Sequence, residues 1–104
     1  MTFELRTYTA TAGRLDDVVA RFRDHTVALL ARHGMESLGY WTATDRPDTL
    51  IYLLRHSGDP EASWQDFRSD PEWIDVKAKS IANGEIVDHI DSLFMTPTDF
   101  SAIV

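Results

Sequence analysis

The chain has 104 residues, of which 43% are hydrophobic and 11% aromatic, so it can form a core, and we expect one domain over residues 1–104. Lysine plus arginine number 10 against 17 aspartates plus glutamates; the formal charge of −7 argues against a nucleic-acid partner, because phosphates would be repelled. The chain contains no cysteine, which excludes disulfides, thiolate metal sites and cysteine nucleophiles. No run approaches the ~18 apolar residues of a membrane span. The N-terminus has no signal-peptide pattern, so we expect a cytoplasmic protein with no membrane partner.

The first half of the chain contains a strand pattern, a helix pattern and a second strand pattern. Residues 3–9 alternate and are rich in β-forming residues, which predicts a first strand. Over residues 14–33 apolar residues recur at helical spacing, and Gly34 ends the predicted helix. The residues of this apolar stripe are Leu15, Val18, Val19, Phe22, Leu29 and Leu30. Residues 35–44 then predict a second strand, followed by a turn at residues 45–48.

The second half begins with a strand pattern over residues 49–56 that is apolar on both faces, which indicates that both faces are covered. A second helical region begins at Asp59 and Pro60 and is interrupted at Asp70 and Pro71. In both pairs the aspartate can cap free N–H groups, and proline is tolerated at the first helical position. This region is expected to end near Asn83, and residues 86–95 predict a fourth strand.

The order β-α-β-β-α-β predicts an α+β, ferredoxin-like fold, with a four-stranded antiparallel sheet and helices on one face. The other face of the sheet still needs a cover, because the third strand is apolar throughout. A second copy of the chain is the simplest way to cover this face, so we expect a homodimer in which two sheets close into a barrel. Pairing register cannot be read from these runs, so either strand face could contact the helices.

Several motifs along the chain resemble those of the NIPSNAP family. The most specific is Trp64-x-x-Phe67-x-x-Asp70-Pro71-Glu72-Trp73. The others are Glu4-Leu5-Arg6-x-Tyr8, Arg32-His33-Gly34-Met35, Gly39-Tyr40-Trp41 and Pro97-Thr98-Asp99-Phe100-Ser101. The resemblance implies a dimeric α+β barrel, in the group that contains antibiotic-biosynthesis monooxygenases, with a ligand cavity between the helices and the sheet. Relatives in that group include cofactor-free monooxygenases of aromatic polyketides, haem-degrading enzymes, decarboxylases and cyclases, and others have no known activity.

His25 is the candidate catalytic residue. It lies three residues after Phe22 and four before Leu29, which predicts a place on the inward stripe of the first helix. An imidazole in such a place can act as a general base. The alternative is a core histidine that is hydrogen-bonded to its neighbours.

Arg6 and Tyr8 share one face of the first strand and are candidate substrate-binding residues. An arginine in a sheet covered on both sides needs a carboxylate, either from the protein or from a ligand. Glu4, Asp88 or Asp91 could supply it within the protein.

Aromatic residues complete the predicted binding site. Such rings suit a flat, apolar ligand that a phenol orients, and they equally suit a packed core. The candidates are Tyr40, Trp41, Tyr52, Trp64 and Trp73.

These residues predict a cofactor-independent enzyme that acts on a small apolar or aromatic molecule by cyclisation, isomerisation, decarboxylation or monooxygenation. The chain has no HxH, HExxH, GxGxxG, Walker A or GxSxG motif, so we expect neither a metal nor an organic cofactor. The alternative is a non-catalytic dimer that binds a small molecule or another protein. A third reading, a haem-binding protein, would need a histidine aimed into a large cleft.

Overall fold

The computed structural model describes residues 1–103. The strands are β1 (Thr2–Ala10), β2 (Met35–Thr42), β3 (Thr49–His56) and β4 (Val87–Met95). One continuous helix connects β1 to β2 and consists of α1 (Leu15–Arg21), a π-helical segment (Phe22–Thr26) and α2 (Val27–Arg32). Two helices, α3 (Pro60–Ser69) and α4 (Pro71–Ser80), connect β3 to β4. The predicted order is confirmed, although β2 ends two residues early and the last helix ends at Ser80 rather than near Asn83.

The four strands form one antiparallel sheet in the order β2-β3-β1-β4. The two central strands are therefore β3 and β1. The connections from β1 to β2 and from β3 to β4 each pass over one strand and contain the helices. This is the predicted α+β, ferredoxin-like arrangement, with the helices on one face. In the centre of the sheet, Arg6 of β1 pairs with Tyr52 of β3 and with Ser92 of β4.

The helix-facing side of the sheet is the side that carries the even-numbered residues of β1 and β3. On β1 these residues are Glu4, Arg6, Tyr8 and Ala10, all buried. On β3 they are Leu50, Tyr52, Leu54 and His56, also buried. The hydrophobic core therefore lies between this face and the helices, and Val18, Phe22, Leu29, Leu30 and Phe67 complete it from the helix side.

A β-bulge in β2 decides where its aromatic residues lie. The pairing with β3 shifts register between Ser37 and Gly39. Because of the extra residue, Ser37 and Tyr40 both lie on the helix side, where their side-chain hydroxyls are hydrogen-bonded at 2.7 Å. Trp41 is consequently on the opposite face and is 54% exposed.

The two aspartate–proline pairs begin helices, as predicted. A side-chain oxygen of Asp59 accepts a hydrogen bond from the amide of Ala62 at 3.1 Å. Asp70 accepts one from the amide of Glu72 at 2.9 Å and ends α3 while beginning α4. The bend between these helices brings Trp73 against Phe67, with ring centroids 4.7 Å apart.

The expected inward position of His25 is wrong. His25 lies in the π-helical segment and is exposed, whereas Thr26 is buried at 3% exposure. The wider winding of a π turn brings the residue four positions after Phe22 back over the core and rotates the residue three positions after it outward. The Thr26 hydroxyl donates a hydrogen bond to the carbonyl of Arg21, five residues earlier, at 3.2 Å.

The face of the sheet opposite the helices carries a row of apolar side chains. Leu5, Ile51 and Leu53 are partly exposed there, and Trp41 and Leu93 are more than half exposed. We call this surface the open face. Within residues 1–103, no helix is both long and apolar enough to cross a membrane.

Candidate functional site

A buried carboxylate, Glu4, organises the polar side chains between the sheet and α3. Its Oε1 accepts hydrogen bonds from Nε2 of His56 at 2.7 Å and from Nε1 of Trp64 at 2.8 Å. Its Oε2 accepts from a guanidinium nitrogen of Arg6 at 2.9 Å and from the hydroxyl of Ser92. Four donors on three different strands and one helix therefore converge on a side chain that has no exposed surface.

Arg6 connects this carboxylate to two phenols. Its Nε donates to the hydroxyl of Tyr52 at 2.7 Å, and a terminal nitrogen reaches the hydroxyl of Tyr8 at 3.4 Å. The guanidinium carbon lies 4.2 Å from the centroid of the Trp64 ring, a cation–π distance. Glu4 is therefore the carboxylate partner of Arg6, and it is one of the three carboxylates that the sequence offered within the protein.

The environment keeps Glu4 and Arg6 charged. Burial by itself would raise the pKa of Glu4, but the hydrogen bonds from Ser92, Trp64, Arg6 and His56 lower it below its ordinary value. Burial would lower the pKa of Arg6, but its phenol neighbours Tyr52 and Tyr8 and the hydrogen bond to Glu4 raise it above the usual arginine value. The site therefore contains a carboxylate and a guanidinium held at short range in a buried environment.

His56 is held by Glu4 in one tautomer. A carboxylate only accepts hydrogen bonds, so the neutral imidazole carries its proton on Nε2. Its other nitrogen, Nδ1, is buried and has no hydrogen-bond partner among residues 1–103. A carboxylate that orients one imidazole nitrogen and leaves the other unprotonated is the arrangement of a histidine general base.

The site borders a surface on β4 that the helices leave uncovered. Ile90 and Phe94 are 42% and 53% exposed and flank Ser92, whose hydroxyl donates to Glu4. The register places Ile90, Ser92 and Phe94 opposite Tyr8, Arg6 and Glu4, hence on the helix side of the sheet. The ring centroid of Phe94 lies 6.1 Å from that of His56. We call Ile90, Ser92 and Phe94 the β4 ledge.

The structure brings together some of the residues predicted for the site and separates others. Arg6, Tyr8, Tyr52 and Trp64 meet in one cluster around Glu4. Tyr40 stacks on Tyr52, with ring centroids 5.1 Å apart and an interplanar angle of 20°.

Three predicted residues lie away from the cluster. Trp41 is on the open face, because of the bulge in β2. Trp73 packs against Phe67 and under the guanidinium of Arg21. His25 lines an open groove between α1 and α4.

Sequence reasoning missed Glu4, His56 and Ser92 as members of the site. The sequence predicts Glu4 only as a possible carboxylate partner for Arg6. The available signal was the alternation Glu4-x-Arg6-x-Tyr8, which places two charges on a face that also carries an aromatic ring. Ser92 had no such signal, because only the register between β1 and β4 places it beside the cluster.

The cluster carries no set of metal ligands. Among residues 1–103, no three or more histidine, aspartate or glutamate side chains converge in a way that could hold a metal ion. Glu4 already accepts four hydrogen bonds, and its partners are donors rather than further carboxylates. The chemistry available to these residues is hydrogen bonding, charge stabilisation and proton transfer.

Solved structures with the same fold include proteins of two kinds. An uncharacterised NIPSNAP domain protein from Burkholderia xenovorans superimposes with a TM-score of 0.80 at 20% identity, covering 97% of this chain and 98% of that one. A NIPSNAP family protein of unknown function from Agrobacterium tumefaciens has a TM-score of 0.83 at 20% identity, with 100% and 94% covered. A protein from Nitrosomonas europaea that is named after the antibiotic biosynthesis monooxygenases has a TM-score of 0.67 at 7% identity, with 93% and 98% covered. At these identities the likeness concerns the fold alone.

The family is shown by the sequence itself. No curated protein matches the chain significantly. The family model described as NIPSNAP matches residues 3–102, nearly the whole chain. The matched range contains the Trp64–Trp73 motif and every residue of the Glu4 cluster. The chain therefore belongs to the NIPSNAP family.

Proposed function

We propose that this protein is an enzyme that moves a proton on a small, largely apolar or aromatic molecule, without a metal or organic cofactor. The proposed base is Nδ1 of His56, and Glu4 orients the imidazole through Nε2. Arg6, Tyr8 and Tyr52 supply charge and hydrogen bonds for a developing oxyanion. His25 is exposed, so His56 replaces it as the proposed general base.

The observation that carries the proposal is the hydrogen bond of 2.7 Å between Glu4 and His56, together with the unpartnered Nδ1. A buried carboxylate, guanidinium and imidazole stabilise a fold no better than apolar residues of similar size, so a cluster of this kind supports a chemical role. If Nδ1 takes a proton from a carbon next to a carbonyl, the substrate becomes an enolate. Isomerisation and cyclisation proceed from such an enolate, and an electron-rich enolate can react with dioxygen in a monooxygenation.

The β4 ledge is the proposed approach for the substrate. A flat ring that packs against Ile90 and Phe94 would lie beside the Ser92 hydroxyl, and movement of the Phe94 side chain, which neighbours the buried imidazole of His56, would give the ring access to Nδ1. Both apolar side chains are already exposed, so their burial by a ligand is favourable. The ledge therefore supports a planar apolar substrate over a highly charged one.

The test is proton abstraction from 2-tetralone, an aromatic ketone with acidic C–H bonds, measured as hydrogen–deuterium exchange by NMR in D₂O. We expect the wild-type protein to accelerate this exchange with saturation. We expect His56→Gln to lower the rate by about 100-fold, the lower end of what a positioned base contributes. Glutamine can still donate to Glu4, which preserves the cluster.

The matched control is His25→Ala, which removes an exposed histidine and should leave the exchange rate unchanged. The amide NMR spectrum of each variant reports whether the fold is intact. If His56→Gln does not fold, Phe94→Asp at the exposed ledge should raise the KM for 2-tetralone. Unchanged exchange in the His56→Gln or Phe94→Asp variant, or no exchange above background in the wild type, contradicts the proposal. The last result would favour a non-catalytic binding dimer.

We also propose that the protein is a homodimer that pairs through its open face. Leu5, Ile51, Leu53, Leu93 and Trp41 form a contiguous apolar surface there on all four strands. Monomeric proteins rarely expose apolar surface of this kind, and a two-fold partner would bury the same residues on both copies.

A further inference from the structure

A second buried arginine, Arg21, lies at the end of α1 outside the Glu4 cluster. It is 8% exposed, and a terminal nitrogen donates to the hydroxyl of Ser80 at 3.1 Å. Its guanidinium carbon lies 5.1 Å from the centroid of the Trp73 ring. Among residues 1–103, no carboxylate lies within 4.0 Å of this guanidinium, and its Nε has no hydrogen-bond partner.

The two buried arginines are therefore in opposite situations. Arg6 has the carboxylate of Glu4 at 2.9 Å, whereas within the described residues Arg21 contacts only a hydroxyl and an aromatic ring, and the carboxylate of Glu85 acts on it from more than 4.0 Å away. Burial lowers the pKa of Arg21 below the usual arginine value, although the side chain stays protonated at neutral pH. A buried charge without a counter-charge is costly, so an anion from outside the chain would stabilise this position.

Arg21 lines an open groove of about 410 Å³ between α1, the π-helical segment and α4. A groove of this volume accommodates a small organic molecule. Its lining is polar around Arg21, Ser80 and Asn83, and Ala20 and Val76 contribute apolar surface.

The aspartates that line the groove are paired with cations other than Arg21. Asp17 pairs with Arg14 at 2.6 Å, and Asp75 pairs with Lys79 at 3.0 Å.

The third carboxylate of the groove, that of Asp24, has Arg23 at 3.9 Å. Each aspartate of the lining therefore has a cation within 4.0 Å, whereas Arg21 is the lining arginine that, among residues 1–103, has no carboxylate within that distance.

We propose that this groove binds the carboxylate of a small monocarboxylic acid, with Arg21 as the counter-charge and Ser80 as a neighbouring polar contact. The planar fork of a guanidinium matches a carboxylate, which it can bind through two parallel hydrogen bonds. A single guanidinium without a carboxylate contact suits a monoanion, and the formal charge of −7 disfavours anions of higher charge. Ala20 and Val76 suit an apolar remainder of the ligand. The proposal does not depend on proton transfer at His56.

The test is titration of the full chain with benzoate, followed by NMR at the side-chain Nε–H signal of Arg21. That signal is assigned through its scalar couplings along the Arg21 side chain in isotope-labelled protein. We expect it to shift with saturation at a Kd of about 1 mM, typical of a ligand held by one charged contact. Benzamide, which has the same ring without the charge, should leave the signal in place.

Two variants that each remove one positive charge separate a specific site from general attraction to basic residues. Arg21→Met should weaken benzoate binding by about tenfold or more, equivalent to a Kd of ~10 mM, measured on the amide signals of α1 and α4. Lys77→Gln removes an exposed charge on α4 that does not line the groove, and this variant should bind benzoate as the wild type does.

Benzoate binding that is equal in wild type and Arg21→Met overturns the proposal. The same holds if the Nε–H signal of Arg21 does not move as the titration reaches ~20 mM, well above the expected Kd. The signal in the wild type decides the outcome even if Arg21→Met does not fold.

Discussion

At the scale of single residues, Glu4 is the side chain on which most of the buried polar structure depends. It has no exposed surface, and it accepts hydrogen bonds from His56, Trp64, Arg6 and Ser92. The donors of His56, Trp64 and Arg6 are buried and would otherwise have one partner fewer, and an unsatisfied buried donor is costly. One carboxylate therefore satisfies four groups on different elements.

We expect Glu4→Gln to destabilise the protein by about 3 kcal/mol, because it leaves the guanidinium of Arg6 buried without a counter-charge. Urea unfolding followed by circular dichroism measures the free energy of unfolding. The control is Asp75→Asn, which breaks an exposed pair with Lys79 and should cost less than about 0.5 kcal/mol. Equal losses in the two variants would mean that the buried pair contributes no more than a surface pair.

At the scale of the secondary-structure elements, helix winding and helix starts decide which side chains reach the core. The π-helical segment turns His25 outward and Thr26 inward. At the junction of α3 and α4, Asp70 begins the second helix and also accepts a hydrogen bond from Nε2 of His33 at 2.8 Å. Asp70 thus connects α4 to the end of the first helix.

The stability that the charge of Asp70 contributes should depend on pH. The hydrogen bond from His33, then that from the amide of Glu72, and the contact with Arg32 lower the pKa of Asp70 from 3.8 to about 2. The folded-state pKa is below the unfolded one, so the stabilisation is complete above about pH 3.8 and is lost as the pH falls towards 2.

Asp70→Asn tests this prediction, because asparagine can still cap the helix but has no charge. The Tm of the wild type should exceed that of the variant at pH 6, and the difference should be small near pH 2 and vanish below it. Thermal unfolding by circular dichroism at a series of pH values gives both curves. A difference that stays constant across this range would show that the charge of Asp70 has no role.

At the scale of the whole molecule, the sheet has one face covered by helices and one open face. The covered face contains the core and the Glu4 cluster, and the open face carries Leu5, Ile51, Leu53, Leu93 and Trp41. In the proposed dimer both faces of β3 would be buried. The sequence of β3, which is apolar on both faces, indicates the same burial.

We expect Leu53→Lys to convert the dimer to a monomer, because it places a charge in the centre of the open face beside Leu5. Sedimentation velocity or light scattering distinguishes the two masses. Ile74→Lys is the control, since Ile74 is 55% exposed on α4 and its change should leave the dimer intact. A wild-type protein that sediments as a monomer would contradict the proposed dimer.

The sequence by itself was sufficient for the elements and their order. The first strand, the aspartate–proline starts of α3 and α4, and the strand over residues 49–56 follow from local patterns, because periodicity and capping act between residues a few positions apart. The motif from Trp64 to Trp73 likewise indicated the family. Arg6, Tyr8, Tyr52 and Trp64 were found as site candidates because polar and aromatic residues on a predicted strand or helix face are visible in the sequence.

The tertiary structure alone decided which of these residues meet. The face of β1 that contacts the helices, the bulge that separates Tyr40 from Trp41, and the register that places Ser92 beside Glu4 depend on pairing between distant strands. The orientation of His25 depends on one turn of π winding, which the spacing of the apolar residues in the sequence does not reveal. Glu4 and His56 are 52 positions apart in the chain, and their contact arises only when β1 and β3 pair.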